Sequence, residues 1–255
     1  MHPLAEKYDH LFEKRRGFVF LVSHMRSYSS LLGHLLAETH AVDGYSELHQ
    51  TYESDLDLLR MAIDVQATHS EEIQGSYLFD KLLHRAYTVA TQLAMRDDVR
   101  VVFSIRTPLP TLASLVALGE RDPTVRWAAD PERALLHYAR RVNDICTLAE
   151  QVPSAAFLIA DNIVSMPRPT LDALGEFLGL DEQIPERYGL RPRTGHKKSG
   201  DSSPAILSGT ISPDQPPILD LPSHVCDAGI AAFAEAPNSE SIRRLHAISE
   251  HGRYV

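Results

Sequence analysis

Gly17-Phe18-Val19-Phe20-Leu21-Val22-Ser23, then His24-Met25-Arg26-Ser27-Tyr28-Ser29-Ser30, then Leu31-Leu32-Gly33-His34-Leu35-Leu36 run without a break in the 255-residue chain. Residues 18–22 are an unbroken apolar run, the pattern of a strand buried on both faces of a parallel sheet. Ser29 and Ser30 place hydroxyls where an apolar-periodic segment begins, which is a helix start signal. Leu31, Leu32, Leu35 and Leu36 fit one helical face. A strand, a short polar loop with one arginine and a helix N-terminus make an anion site. The backbone N–H groups and the helix dipole favour negative charge there, and Arg26 and the hydroxyls add donors. Taken alone, the stretch is equally compatible with an ordinary strand-to-helix turn carrying a surface arginine.

Working outward, the composition is that of a globular protein, 44% apolar and 23% charged. A formal net charge of −9 argues against nucleic acid as a partner. The two cysteines, Cys146 and Cys226, lie far apart and read as reduced, consistent with a cytoplasmic compartment. Residues 1–16 carry no apolar leader pattern, and no run approaches the ~18 apolar residues of a membrane span. The chain reads as one domain, 1–255, soluble and without a membrane span; oligomeric state is left open.

Along the chain, residues 1–16 predict a lead-in helix and residues 41–49 a short extended piece. Residues 55–66 predict a helix and residues 74–80 a strand that ends in Asp80-Lys81. Residues 84–95 predict a helix. Residues 99–105, Val-Arg-Val-Val-Phe-Ser-Ile, are the clearest strand after the first and end at Arg106-Thr107-Pro108. Helices are predicted at 109–118 and 128–151, a strand at 155–160, and a helix at 170–178 stopped by Gly179. Residues 204–222 are Pro-rich and read as irregular; residues 238–251 predict a last helix. Alternating strands and helices imply right-handed crossovers and an α/β fold: three αβα layers around a central parallel sheet.

Several signatures are missing. There is no G-x-x-x-x-G-K-[ST], no G-x-G-x-x-G, no zinc spacing among 13 histidines and no G-x-S-x-G elbow. Arg106 stands at the C-terminal end of a strand and Ser114 lies eight residues on, in the following helix. Ligands gather at strand C-termini in such sheets, and this pair can hold one phosphate.

Arg26-Ser27-x-Ser29-Ser30-Leu31-Leu32 followed by Arg106-x-Pro108 and Ser114 resembles the sulfotransferase family, which uses 3'-phosphoadenosine 5'-phosphosulfate (PAPS) as donor. The segment 156–164, Pro167 and the Phe177-Leu178-Gly179-Leu180 helix end look like the family's later strand and helix. Thr194-Gly195-His196-Lys197-Lys198-Ser199-Gly200 resembles its C-terminal Gly-rich basic loop. The resemblance spans about residues 17–203 and implies a P-loop NTPase-like sulfotransferase fold. Relatives often read Pro-Arg-Ser-Gly in the first loop; here Met25 replaces Pro and Tyr28 replaces Gly. Gly tolerates positive φ where Tyr is strained, so a locally different backbone path is expected at Tyr28.

The resemblance assigns Arg26, Ser27, Tyr28, Ser29, Ser30 and Leu31 to the 5'-phosphosulfate. It assigns Arg106, Ser114 and the loop Lys197, Lys198, Ser199, Gly200 to the 3'-phosphate. Glu47 is the expected general base, with His49 as the rival; in an extended segment the two share a face. Lys81 is expected at the sulfuryl oxygens. Trp127, the only tryptophan, is expected to stack on adenine, to line the acceptor pocket or simply to pack. The expected acceptor is a hydroxyl of a small molecule, with no metal required. Two other readings stay open: a small-molecule kinase, and a nucleotide-binding protein that has lost catalysis.

Overall fold

A computed structural model describes residues 17–68, 73–196, 204–212 and 219–235. The expected helices at 1–16 and 238–251 lie outside the described residues. Five strands form one sheet: β1 Gly17–Val22, β2 Val42–Asp43, β3 Tyr77–Leu82, β4 Val99–Ile105 and β5 Ala156–Ile159. Their order is β2-β3-β1-β4-β5, and every pairing is parallel. The helices are α1 Ser29–Leu36, α2 Asp55–Thr68, α3 Thr91–Ala94, α4 Pro108–Arg121, α5 Pro131–Gln151, α6 Asn162–Ser165, α7 Pro167–Leu178 and α8 Ser223–Glu235.

β1 is central because both of its faces are apolar. Phe18, Phe20 and Val22 point into one core with Leu58 and Met61 of α2, Leu112 and Leu115 of α4, and Tyr138 and Val142 of α5. Val19 and Leu21 point into a second core with Leu32, Leu35 and Leu36 of α1 and Leu171 and Leu174 of α7. Two cores on opposite faces of one sheet are the three layers expected from the alternation of strands and helices. Burying a side chain such as Phe20 contributes roughly 1.5–3 kcal/mol each time.

Several boundaries differ from the expectation. β3 does not stop at Asp80 but continues through Asp80, Lys81 and Leu82, because both charged side chains find buried partners. The helix expected at 84–95 shrinks to Thr91–Ala94. Residues 84–88 turn instead, and Tyr52 pairs with Val89 in an isolated parallel bridge. The extended piece at 41–49 keeps only Val42–Asp43 as strand. Gly44 then takes φ 107, where a Cβ would lie 2.5 Å from the Phe79 carbonyl oxygen. The helix expected from 128 begins at Pro131, after a 3₁₀ segment Pro123–Ala129. Asp122 and Asp130 cap these two segments through their carboxylates, a signal that an apolar count does not see. α8 lies just beyond the stretch read as Pro-rich and irregular, with Val225 buried in the first core.

Candidate functional site

The chain from β1 leaves toward β2, and that from β4 leaves toward β5. The crevice at the C-terminal ends of β1 and β4 is therefore the place where ligands of open parallel sheets bind. The loop of residues 23–28 fills its rim. Tyr28 precedes α1 with φ 58 and ψ 14, and Arg26 has φ 65. The departure from Gly thus changes the side chain but leaves position 28 with the left-handed backbone that glycine would adopt freely. Each such non-glycine residue costs roughly 1–2 kcal/mol and persists where surrounding contacts over-determine it.

Those contacts come from Arg106. Its Nη1 donates to the Arg26 carbonyl at 3.0 Å and its Nη2 to the Tyr28 hydroxyl at 2.8 Å, and its guanidinium lies 4.2 Å from the centre of the Tyr28 ring. Its Nε donates to Asp161 Oδ1 at 3.3 Å. The backbone N–H of Arg106 donates to His24 Nε2 at 3.0 Å, so the His24 proton sits on Nδ1, which donates to the Met25 carbonyl at 2.8 Å. The Ser27 hydroxyl turns inward, donating to the His24 carbonyl at 2.6 Å, and so braces the loop from within.

Ser29 and Ser30 are the first residues of α1 and no side chain caps the helix, in contrast to the capping role that their position in the sequence suggests. Leu31 faces the second core, so any contact it makes with an anion runs through its backbone. Lys81 is only 1% exposed, and its Nζ donates to Ser30 Oγ at 2.9 Å. A cation at the positive end of a helix has the wrong sign for stability. Its placement beside the helix N-terminus therefore suits an anion held between the two. Farther along β4's helix, Arg26 Nε donates to Ser114 Oγ at 2.8 Å, which brings Arg26, Arg106 and Ser114 together.

Through Asp80, the neighbour of Lys81 in β3, the site reaches a carboxylate cluster. Glu47 is 7% exposed, and its Oε1 is 3.5 Å from both His49 Nδ1 and His84 Nε2. That oxygen is buried and makes no direct hydrogen bond to the described residues. The expected pairing of Glu47 with His49 is present, but not through an extended backbone: His49 has φ 57. Asp80 sets the geometry. Its Oδ1 accepts the N–H groups of Leu48 at 3.0 Å and Lys81 at 2.7 Å, and its Oδ2 accepts the Tyr52 hydroxyl at 2.7 Å. Burial pushes the Asp80 carboxyl up to about 7, with the neighbouring Glu47 charge adding to the rise against those three hydrogen bonds.

Three residues of this site went unread in the sequence. Asp80 reads in the sequence as the end of a strand, although a charged Asp-Lys pair inside an apolar run is a usable signal. His84 falls in the sequence at the start of the helix expected at 84–95. Arg141, buried on α5, donates from Nε to the Ser23 carbonyl at 2.8 Å and from Nη2 to the Leu82 carbonyl at 2.5 Å, tying the ends of β1 and β3. Burial lowers its guanidinium to about 10, which still leaves it charged at neutral pH. Trp127 packs on His137 with ring centres 4.7 Å apart, and His137 lies within electrostatic range of His84. Of the Gly-rich loop, Thr194 is described: its hydroxyl donates to His34 Nε2 at 2.8 Å. Lys197, Lys198, Ser199 and Gly200 lie outside the described residues.

Burial makes the site's stability pH-dependent. Desolvation lowers His24, His34 and His137 from 6.5 to about 4, so the unfolded chain binds more protons than the folded one between those values. Stability contributed by the three is present above 6.5 and is lost as pH falls toward 4. Asp80 acts in the opposite sense, its contribution being lost as pH rises from about 4 to about 7. Burial shifts His84 in the same downward direction, so with four histidines against Asp80, denaturant melts are expected to show falling stability from pH 6.5 to pH 4.5. A flat profile would show these histidines to be charged in the folded protein.

No protein-family model matches the sequence, and no curated protein matches it closely enough to be counted as a relative. Solved structures do match. The sulfotransferase domain from the curacin biosynthetic pathway superposes with a TM-score of 0.56 at 17% identity, over 88% of this chain and 99% of that one. The sulfotransferase domain of the Synechococcus PCC 7002 olefin synthase gives a TM-score of 0.53 at 19% identity, over 88% and 96%. The architecture is therefore that of sulfotransferase domains.

Proposed function

We propose that the protein is a sulfotransferase that moves a sulfuryl group from PAPS to a hydroxyl of a small-molecule acceptor. The observation that carries this reading is the buried Lys81 set against the N-terminus of α1, with the buried Glu47 on the segment that Asp80, next to Lys81 in β3, anchors through the Leu48 N–H. The donor supplies an activated sulfuryl group and a leaving adenosine 3',5'-bisphosphate. The crevice offers matching groups at both ends: the helix N-terminus, Ser29, Ser30 and Lys81 for the phosphosulfate, and Arg106 with Ser114 for the 3'-phosphate.

Glu47 takes the proton of the acceptor hydroxyl as its oxygen bonds to sulfur and the sulfur–oxygen bond to the leaving phosphate breaks. His49 and His84 flank Oε1 at a distance that fits orientation of the carboxylate or of the incoming hydroxyl. Lys81 and the α1 N-terminus neutralise charge on the sulfuryl oxygens and the leaving oxygen. The test is thermal stabilisation of the full chain by adenosine 3',5'-bisphosphate against ATP with Mg²⁺. Stabilisation by the bisphosphate is expected. Stabilisation by ATP with Mg²⁺ alone would favour a kinase and overturn the reading.

A further inference from the structure

Glu47 sits on a stretch between β2, which ends at Asp43, and α2, which begins at Asp55. No sheet ladder or helix holds it there, so its place depends on side-chain and packing contacts. After Glu47, the Leu48 N–H donates to Asp80. Before it, Tyr45 is 2% exposed, and its surroundings come from α1 and from the far end of the chain. A Cβ on Gly33 of α1 would meet the Tyr45 carbonyl oxygen at 2.8 Å, and His34 meets the Tyr45 ring edge-on with ring centres 5.1 Å apart. The backbone N–H of Arg193, 148 residues on, donates to the Tyr45 hydroxyl at 3.1 Å. The Arg191 guanidinium lies 5.5 Å from the centre of the same ring, a cation–π distance.

Residues 188–194 thus form a strap over Tyr45, and a directed run of hydrogen bonds fastens it to α1. The Ser30 carbonyl accepts from His34 Nδ1 at 2.7 Å, so that nitrogen carries the proton. His34 Nε2 is then an acceptor and takes the Thr194 hydroxyl at 2.8 Å. That hydroxyl in turn accepts the Arg191 N–H at 2.8 Å. Burial lowers His34 to about 4, so the imidazole is neutral at pH 7 and the direction holds. Arg191 adds an ion pair to Glu38 at 3.1 Å, and Glu38 Oε1 also accepts the Gly189 N–H at 3.1 Å. Behind the strap, the Tyr188 N–H donates to the Gly209 carbonyl at 2.9 Å and its hydroxyl to the Ile206 carbonyl at 3.1 Å.

We propose that this strap positions the general base: Thr194 fixes it to His34, and Tyr45, two residues from Glu47, carries the constraint to the carboxylate. The inference rests on the sulfotransferase reading above. A base must lie within hydrogen-bond reach of the proton it takes, and a misplacement of about 1 Å costs roughly 10²-fold in rate. Asp80 holds the segment from one side and the strap from the other, so loss of the strap alone removes part of that precision. Thr194 and Tyr45 are positioning residues, acting through Glu47.

The test follows release of adenosine 3',5'-bisphosphate from PAPS at saturating donor, with phenol, ethanol or water as probe acceptor, whichever wild type uses fastest. Thr194→Val keeps the side chain's shape without its hydroxyl, and Tyr45→Phe removes the acceptor of the Arg193 N–H. Each is expected to lower turnover about tenfold. Thr194→Ser, which keeps the hydroxyl, is expected to keep most of it. In a Glu47→Gln background, Thr194→Val and Tyr45→Phe are expected to lower turnover no further, because no base is left to position. Equal falls in both backgrounds would make the strap a general support of the fold and overturn the inference. Wild-type turnover in Thr194→Val and Tyr45→Phe would overturn it too, as would a Glu47→Gln protein as active as wild type. A wild type that releases no bisphosphate would instead overturn the sulfotransferase reading beneath it.

Discussion

Glu47→Gln is expected to lower turnover by about 10²- to 10⁴-fold while adenosine 3',5'-bisphosphate binds as before. The substitution keeps the shape of the side chain and removes its basicity. Glu47 is buried on a segment that Asp80 holds through the Leu48 N–H, so the change leaves that scaffold in place. It also converts the carboxylate oxygen that has no direct hydrogen bond among the described residues into part of an amide. The measurement is turnover with saturating donor, alongside a nucleotide titration. His49→Ala and His84→Ala are expected to be milder, because each flanks the Glu47 carboxylate at 3.5 Å and removing one leaves the other in place. A dead His49→Ala beside an active Glu47→Gln would move the base to His49.

Lys81→Ala is expected to cost about 10²- to 10³-fold in turnover, the range for removing one group aimed at developing charge in a closed site. Lys81→Arg is not expected to restore it. The side chain is 1% exposed and ends at Ser30, which leaves a planar guanidinium no solvent into which to extend. Product affinity should fall less than turnover, since adenosine 3',5'-bisphosphate carries no sulfuryl group. Wild-type turnover in Lys81→Ala would place charge neutralisation elsewhere in the crevice.

Much of the fold was legible because it is written in local pattern. The apolar runs at β1 and β4 and the helical spacing of α1, α5 and α7 are carried by residues that meet the core whatever lies beyond them. Gly179 stops α7 with φ 67, as a C-terminal glycine does. The reading failed where the deciding partner is distant. The segment 84–95 has helical spacing, yet Tyr52 captures the backbone around Val89, and Tyr52 itself is held by Asp80. β3 runs through two charges because Tyr52 and Ser30, far away in sequence, satisfy them.

The sequence by itself determined the strand–loop–helix start, the alternation that makes a parallel three-layer sheet, and the residue types that suit an anion with charge at both ends. Apolar periodicity and loop chemistry depend on neighbours along the chain, so they survive without coordinates. Only the tertiary structure decided that Lys81 reaches Ser30 and Arg26 reaches Ser114, that His84 joins Glu47, and that Tyr28 keeps a left-handed backbone under the grip of Arg106. Those are matters of direction. A side chain's aim is set by partners tens of residues away, through hydrogen bonds and buried charge that no local pattern records.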